Sequence, residues 1–449
     1  MSAMAALAKN RRRLADQWAE PIYRSGYLLV LNALVTAVLG VGFWLVAARL
    51  YAPAVIGVNS TTISAMMFIA GVAQLNLMSS LLRFVPSAGG GARRMVVRSY
   101  AVGGTLSALA ATVFVTGLHI WTPALSPLLG QLPIAISFVV GAAGWAVMVM
   151  QSSVLVALDA TAAAAVATQG FNLLKLILLF PFVLLIPASG VWFSWTAAMA
   201  VVVMASAWFV FTRAMSAFTE TPQWVQPSTP SLREFAVFAV PDYVTALAWI
   251  GATSLVPVLV LQLSDAEHAA VFALAWSMCL TLYSVPSALG QSLVAYGVRD
   301  PVRLEEHHRR ILWSSLGLLS PAVAGLVVLA PAVLSVFGRW YADEGVATLR
   351  LLALSALPNA IVLLTVSRAR VAHRMTTVVT TMVVLCLVVL SLTWLLLPRI
   401  GIVGGAVAWL VGQTVVAVGI GLSVHRRGRR GHLGPSDAGW SPRRGAHGC

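Results

Sequence analysis

The sequence predicts an all-α, polytopic membrane protein of about twelve transmembrane helices, and three observations carry that reading. The chain of 449 residues is 59% hydrophobic and only 10% charged, whereas a soluble protein carries about 25% charged residues. Its apolar residues gather into runs that match a bilayer core of about 30 Å, which takes about 20 helical residues to cross. These runs lie at 26–49, 58–82, 99–120, 131–156, 163–186, 191–212, 235–262, 269–297, 311–336, 349–367, 375–397 and 402–424. Lys and Arg avoid the runs and alternate in density between them. With the N-terminus in the cytoplasm, 24 lie inside, four lie outside (Arg49, Arg339, Arg350, Arg399), and Lys175 alone falls deep within a run. The positive-inside rule then places both termini in the cytoplasm, which requires an even number of crossings.

Taken in order, residues 1–25 form a basic cytoplasmic N-terminus with Lys9 and Arg11 to Arg13. The first apolar run is too long and too far from Met1 for a cleaved signal, so it reads as a retained first span. It pairs with the second span through the turn Leu50 to Gly57. The longest interior linker, 213–234, is polar and holds Pro222, Pro227 and Pro230. It separates an N-terminal lobe, 26–212, from a C-terminal lobe, 235–424. The lobes echo each other. Leu50 to Gly57 matches Leu263 to Ala270 at an offset of 213, and Pro187 to Gly190 matches Pro398 to Gly401 at 211. Six crossings per repeat makes the repeats parallel, related by an axis along the membrane normal. The polar tail, 425–449, reads as disordered. Its Arg426 to Arg430 cluster is a positive-inside stop or a contact for anionic lipid.

A net charge of +15 in a soluble protein would suggest nucleic acid. Here the charge sits in loops, and no nucleic-acid partner is expected. Cys279, Cys386 and Cys449 have neither disulfide nor metal spacing. No catalytic motif, metal site or cofactor-binding motif is present, and no external loop exceeds about a dozen residues. These features argue against an enzyme and for movement of a cargo between two lobes.

Polar residues inside the runs form faces. Thr168, Asn172 and Lys175 share one side of the fifth span, with Gln169 beside them. Ser25, Asn32, Thr36 and Gly40 line the first span, Asp242, Thr245, Trp249 and Thr253 the seventh, and Ser277, Thr281, Ser284 and Gln291 the eighth. Three–four spacing puts each set on one helix face, and a polar face must meet protein or water rather than lipid. For Ser and Thr, helix–helix contact is the simpler role. Lys175 and Asp242 either form structural ion pairs or line a cargo path, with Asp242 a candidate site for a coupling proton or sodium ion. Arg49 either snorkels at the outer end of its span or faces a cavity.

Several short motifs, in order along the chain, give a resemblance. They are Ala48-Arg49-Leu50-Tyr51-Ala52-Pro53 with Gly57, Leu82-Arg83-Phe84-Val85-Pro86, and Leu155 to Asp159. Asn172 with Lys175, Ser284-Val-Pro286 with Ser292-Leu293, Phe337-Gly338 with Tyr341, and Pro398 to Gly401 complete the set. The chain resembles bacterial polysaccharide and lipopolysaccharide-precursor flippases of the multidrug/oligosaccharidyl-lipid/polysaccharide (MOP) exporter superfamily. The resemblance implies two six-helix lobes around a central cavity, a place in the bacterial inner membrane, and alternating access without ATP. It implies a polyprenyl-pyrophosphate-linked oligosaccharide as cargo and polysaccharide-assembly proteins as partners. Lys175, Asn172, Thr168, Asn32 and Arg49 are then cavity candidates for that cargo. Departures from the pattern, Ser152 and Ser153 after Gln151 and the Pro241-Asp242 pair, put a family ion site in doubt. The alternative is a cation-coupled multidrug or metabolite antiporter of the same superfamily.

Overall fold

The computed structural model describes residues 21–216, 232–299 and 303–431. The N-terminal half holds α1 (Pro21–Leu50), α2 (Pro53–Ala73), α3 (Leu77–Phe84), α4 (Ala92–Thr116), α5 (Leu132–Ala157), α6 (Thr161–Leu185) and α7 (Gly190–Phe209). A π-helical turn, Val210–Ala214, extends α7. The C-terminal half holds α8 (Leu232–Leu263), α9 (Ala266–Arg299), α10 (Leu304–Phe337), α11 (Arg339–Leu354), α12 (Ala356–Val371), α13 (Met375–Ile400) and α14 (Ile402–Gly431). Among the described residues, eleven helices or jointed helix pairs are long and apolar enough to cross a membrane, and α1 has an apolar section at Val35–Leu50. With α1 counted, the polytopic fold has about twelve crossings, six per half.

Within the N-terminal half, α4 packs on α5, α6 on α7 and α1 on α6; within the other, α8 and α14 pack on α13, α9 on α12, and α10 on α11. The halves meet where α2 lies against α8 and α9, and where α1 lies against α9 and α10. Small residues make the closest approach possible. A Cβ on Gly57 would stand 1.8 Å from the Ala266 carbonyl oxygen and 3.1 Å from the Ala270 nitrogen. Gly57 and Ala270 are the pair matched by the 213-residue offset, so the repeats touch each other at equivalent positions.

Several boundaries differ from the sequence reading. The second span, expected as 58–82, stops at Ala73. Leu75 and Asn76 take left-handed backbone angles (φ 52° and 51°), which a leucine adopts at a cost of about 1–2 kcal/mol. The chain restarts as α3 in a new direction. The tenth span, expected as 349–367, begins earlier as α11 and is jointed at Ser355. Arg350, assigned to the outer loop, lies within α11 and donates to the Val327 carbonyl at 2.9 Å. Pro331 stands one turn beyond Val327 in α10. It has no amide to bond that carbonyl, and the arginine supplies the missing donor. The last helix continues through Arg426 to Arg430 to Gly431, beyond the boundary set at 424. Arginine is a good helix former, so the helix propagates past its apolar section. Most of the 1–25 segment, most of the 213–234 linker and residues 432–449 lie outside the described residues.

Prolines inside helices are unevenly shared. The N-terminal half has Pro181, whereas the C-terminal half has Pro241, Pro257, Pro286, Pro321, Pro331 and Pro398.

Candidate functional site

Each half encloses an aromatic cluster. In the C-terminal half, Trp409 lies at a steep angle to Trp276, with ring centroids 4.7 Å apart. Trp409 Nε1 donates to the Tyr283 hydroxyl at 2.9 Å, and that hydroxyl donates to the Leu352 carbonyl at 3.2 Å. Tyr283 also bonds Ser355, at the joint between α11 and α12.

The N-terminal cluster encloses a lysine amine. Lys175, near the middle of α6, is 5% exposed. Its Nζ stands 4.1 Å from the ring centroid of Trp195 on α7, 4.9 Å from Phe171 on α6 and 5.0 Å from Phe43 on α1. No Asp or Glu lies in residues 35–48 of α1 or in α5, α6 or α7, so no carboxylate on these helices neutralises it. An ammonium at the centre of a span costs about 2.5–3.5 kcal/mol on insertion scales. Ring faces return about 0.5–2 kcal/mol each. Three such rings offset a cost of that size without supplying a counter-charge.

Asn172 and Thr168 continue the same face of α6 toward the expected cytoplasmic end. Asn172 Nδ2 donates to the Thr168 carbonyl at 3.1 Å, and the Thr168 hydroxyl donates to the Ala164 carbonyl at 3.0 Å. Gln169 ties α6 to α1 through the Thr36 hydroxyl at 2.7 Å. Thr168 and Phe171 border a cavity of about 50 Å3 with Gln151, Ser152 and Ser206 among its walls. The sequence grouping of Thr168, Asn172 and Lys175 thus corresponds to one real face, directed into the N-terminal half. The helix of Asn32 is described, but its side chain lies outside the described residues.

Asp242 and Arg49 stand elsewhere, at contacts between the halves. Asp242 accepts from Asn76 Nδ2 at 2.7 Å and lies 3.4 Å from the Arg370 guanidinium. The left-handed break after α2 places Asn76 there, and Tyr243 adds a hydrogen bond to the Val72 carbonyl at 2.7 Å. At the other end, the Arg49 guanidinium donates to the Val336 carbonyl in the last turn of α10, with Nε at 3.0 Å. Terminal carbonyls of a helix lack partners and carry partial negative charge, so a cation suits this position. Beside this contact, Asp265 caps α9 through the Glu267 and His268 amides at 3.0 and 2.9 Å. Partial burial raises the Asp265 pKa, but these bonds and the His268 ring outweigh it and hold the carboxyl below its ordinary range. Arg49→Ala should loosen the outer contact without unfolding the chain. Because Arg49 is exposed, we expect a shift of only a few-fold toward the outwardly open form, read by labelling of a cysteine placed at Ala52.

Between the halves lies an apolar groove of about 780 Å3. Phe68 and Ile69 of α2, Leu255, Val258 and Leu259 of α8, and Leu390 of α13 wall its depth. Trp121 and Trp394, 53% and 59% exposed, border it. Its polar members, Thr122, Gln262 and Ser391, are uncharged. Sequence reasoning missed this groove, the aromatic cage and Asn76, because each joins residues from helices far apart in the chain.

Neither a family model nor a curated protein matches the sequence, but solved structures match the fold. An inward-facing multidrug resistance MATE family transporter of the MOP superfamily aligns with a TM-score of 0.65 at 16% identity, covering 87% of this chain and 94% of that one. The chain shares that transporter's fold. The lipid II flippase MurJ in an inward closed conformation aligns at 0.64 with 12% identity, covering 89% of this chain and 87% of that one. An outward-facing MATE transporter of the MOP superfamily aligns at 0.53 with 16% identity, covering 91% and 94%. The contacts at Arg49 and Gly57, which the charge distribution assigns to the outer end, are joined.

Proposed function

We propose that the protein is an alternating-access transporter that moves a lipid-linked oligosaccharide precursor from the cytoplasmic to the outer leaflet. The observation that carries this reading is the apolar groove between the halves. A polyprenyl chain needs an apolar seat that it can enter from the side, and its sugars need a separate polar path. The groove meets the first need: it lies between α2 and α4 of one half and α8 and α13 of the other, with exposed tryptophans at its edge. The MOP-type fold, seen in the lipid II flippase MurJ, supports the rest. Opening and closing would pivot about the α2–α8 contact near Gly71 and Ile250, while the outer contacts at Arg49 and Gly57 break and reform.

In this reading Arg49 and Asp242 act on the conformational equilibrium rather than on cargo. Lys175 is likewise withdrawn from the cargo path while the outer contacts are joined, since aromatic faces surround its amine and present negative potential. The test is flipping of a fluorescent polyprenyl-pyrophosphate oligosaccharide in proteoliposomes. Leu259→Trp, which fills the groove, should reduce the rate at least about tenfold, the equivalent of about 1.4 kcal/mol. If the wild-type protein flips no lipid-linked sugar but expels a soluble organic cation against a gradient, the flippase reading fails and the antiporter alternative takes its place.

A further inference from the structure

The sequence singled out Asp242 for ion coupling, yet Asp242 is already engaged by Asn76 and Arg370. Among the described residues, Lys175 is a buried lysine with no ion pair. Residues 35–48 of α1 and all of α5 and α7, the helices around α6, contain no Asp, Glu, His, Lys or Arg. The other titratable groups nearby belong to the outer end. Tyr51 bonds the Leu179 carbonyl one turn beyond Lys175, at 3.0 Å, and Arg49 is held at Val336.

A second observation gives the lysine a polar route toward the cytoplasm. Below it on the same face of α6 come Asn172, then Thr168, and then the cavity of about 50 Å3 with Gln151, Ser152 and Ser206 in its walls. Gln151 is 1% exposed. Its Nδ-equivalent amide nitrogen, Nε2, donates to the Val203 carbonyl at 3.0 Å, while its Oε1 has no hydrogen-bond partner. A space of this size bordered by Gln151, Ser152, Thr168 and Ser206 can hold water, which needs roughly 10–15 Å3 and two to four polar partners. The cage also connects to the outer contact: Phe43 and Arg49 belong to the same helix, α1, so a shift of α1 against α6 as the Arg49–Val336 contact breaks would move one ring of the cage.

We propose that Lys175 is the proton-coupling site of the transport cycle. The proposal rests on the alternating-access reading above. When the outer end opens, α1 carries Phe43 away, water reaches the amine, and Lys175 takes a proton from the outer side. When the cage closes, dry and without a carboxylate, the ammonium returns that proton by way of the Asn172–Thr168 face and the water-sized cavity to the cytoplasm. One proton enters and one leaves per cycle, and no other bond is made or broken. Inward movement of the proton then accompanies outward movement of cargo.

The chain's lysine content makes a direct test practical, because Lys9 and Lys175 are its two lysines. Full-length protein carrying Lys9→Arg and 15N-lysine, in lipid nanodiscs, gives one side-chain nitrogen signal. At one pH, that signal should stand at the amine position in the inward-facing form and move to the ammonium position in a Gly57→Val background that keeps the outer end open. In parallel, spin labels at Ala52 and Asp343 in a cysteine-free background read the outer opening. The open-to-closed ratio should change with pH by up to about tenfold per unit, the most that one coupled proton can give. Lys175→Met should abolish that response, and Lys175→Arg, which remains charged, should favour the open form at every pH. An identical nitrogen signal in both forms, or an unchanged pH response in Lys175→Met, would overturn the proposal. The nitrogen signal needs no substitution at Lys175, so poor folding of the variants cannot leave the question open. An outer end that never opens, even in Gly57→Val, would instead reject alternating access itself, and proton coupling with it.

Discussion

Gly57→Ala shifts the protein toward the outwardly open form by about fivefold or more. The added methyl would meet the Ala266 carbonyl oxygen at 1.8 Å and its carbon at 2.8 Å. Both are backbone atoms, so no rotamer change can relieve the contact. Overpacking at a tight interface costs about 1–3 kcal/mol, which corresponds to a change of roughly 5- to 150-fold in an equilibrium constant. The clash lies between the halves rather than within one, so the fold should survive while the closed outer end does not. The measurement is solvent accessibility of a cysteine at Ala52, with thermal stability as the control. Gly71 makes a useful comparison, since its Cβ would meet the movable Ile250 side-chain tip at 2.1 Å. Gly71→Ala should be much milder. Equal effects at the two positions would show that backbone contact at Gly57 does not control closure.

Asn59→Leu lowers stability by about 2–5 kcal/mol, without the selective opening expected at Gly57. Asn59 is fully buried in α2 and serves three partners. Its Nδ2 donates to the Val55 carbonyl at 2.8 Å and the Ala188 carbonyl at 3.0 Å, and its Oδ1 accepts from the Trp192 amide at 2.9 Å. Trp192 lies in the first turn of α7, where amides lack intrahelical partners. A leucine there leaves the Trp192 amide and the Ala188 carbonyl buried and unpaired, at about 1–3 kcal/mol for each group. Asn59→Asp should be milder, because it keeps the acceptor for Trp192. Thermal aggregation midpoints in detergent rank the variants without assuming two-state unfolding, which a chain of this size does not guarantee. Indistinguishable midpoints for wild type and Asn59→Leu would show that water supplies both missing partners.

The sequence made the crossings legible because a bilayer imposes a length on every apolar helix. The offset of 213 paired Gly57 with Ala270, and these two positions lie in contact. What the sequence concealed depends on partners distant in the chain. The break at Leu75 and Asn76 is held by Asp242, more than a hundred residues away, and the short sequence around it otherwise reads as continuous helix. The start of α11 was hidden by Arg339, Asp343, Glu344 and Arg350, charges that suggested a loop although Glu, Arg and Leu all favour helix. At the candidate site, spacing placed Thr168, Asn172 and Lys175 on one face but could not say what that face meets. The rings around the amine come from α1, α6 and α7, and no local pattern links positions 43, 171 and 195.

The uneven distribution of prolines has a mechanical consequence. A proline within a helix removes one rung of the backbone ladder and lowers the resistance to bending at that level. Among the described residues, six such points lie in the C-terminal half and one in the N-terminal half. The halves share an architecture but not a stiffness. Arg350, bound to the carbonyl that Pro331 leaves free, braces one of these points from a neighbouring helix. Bending of helices in a cycle of opening and closing is therefore concentrated in the C-terminal half, while in the half that encloses Lys175 helices without an interior proline, such as α1, move as whole units against their neighbours.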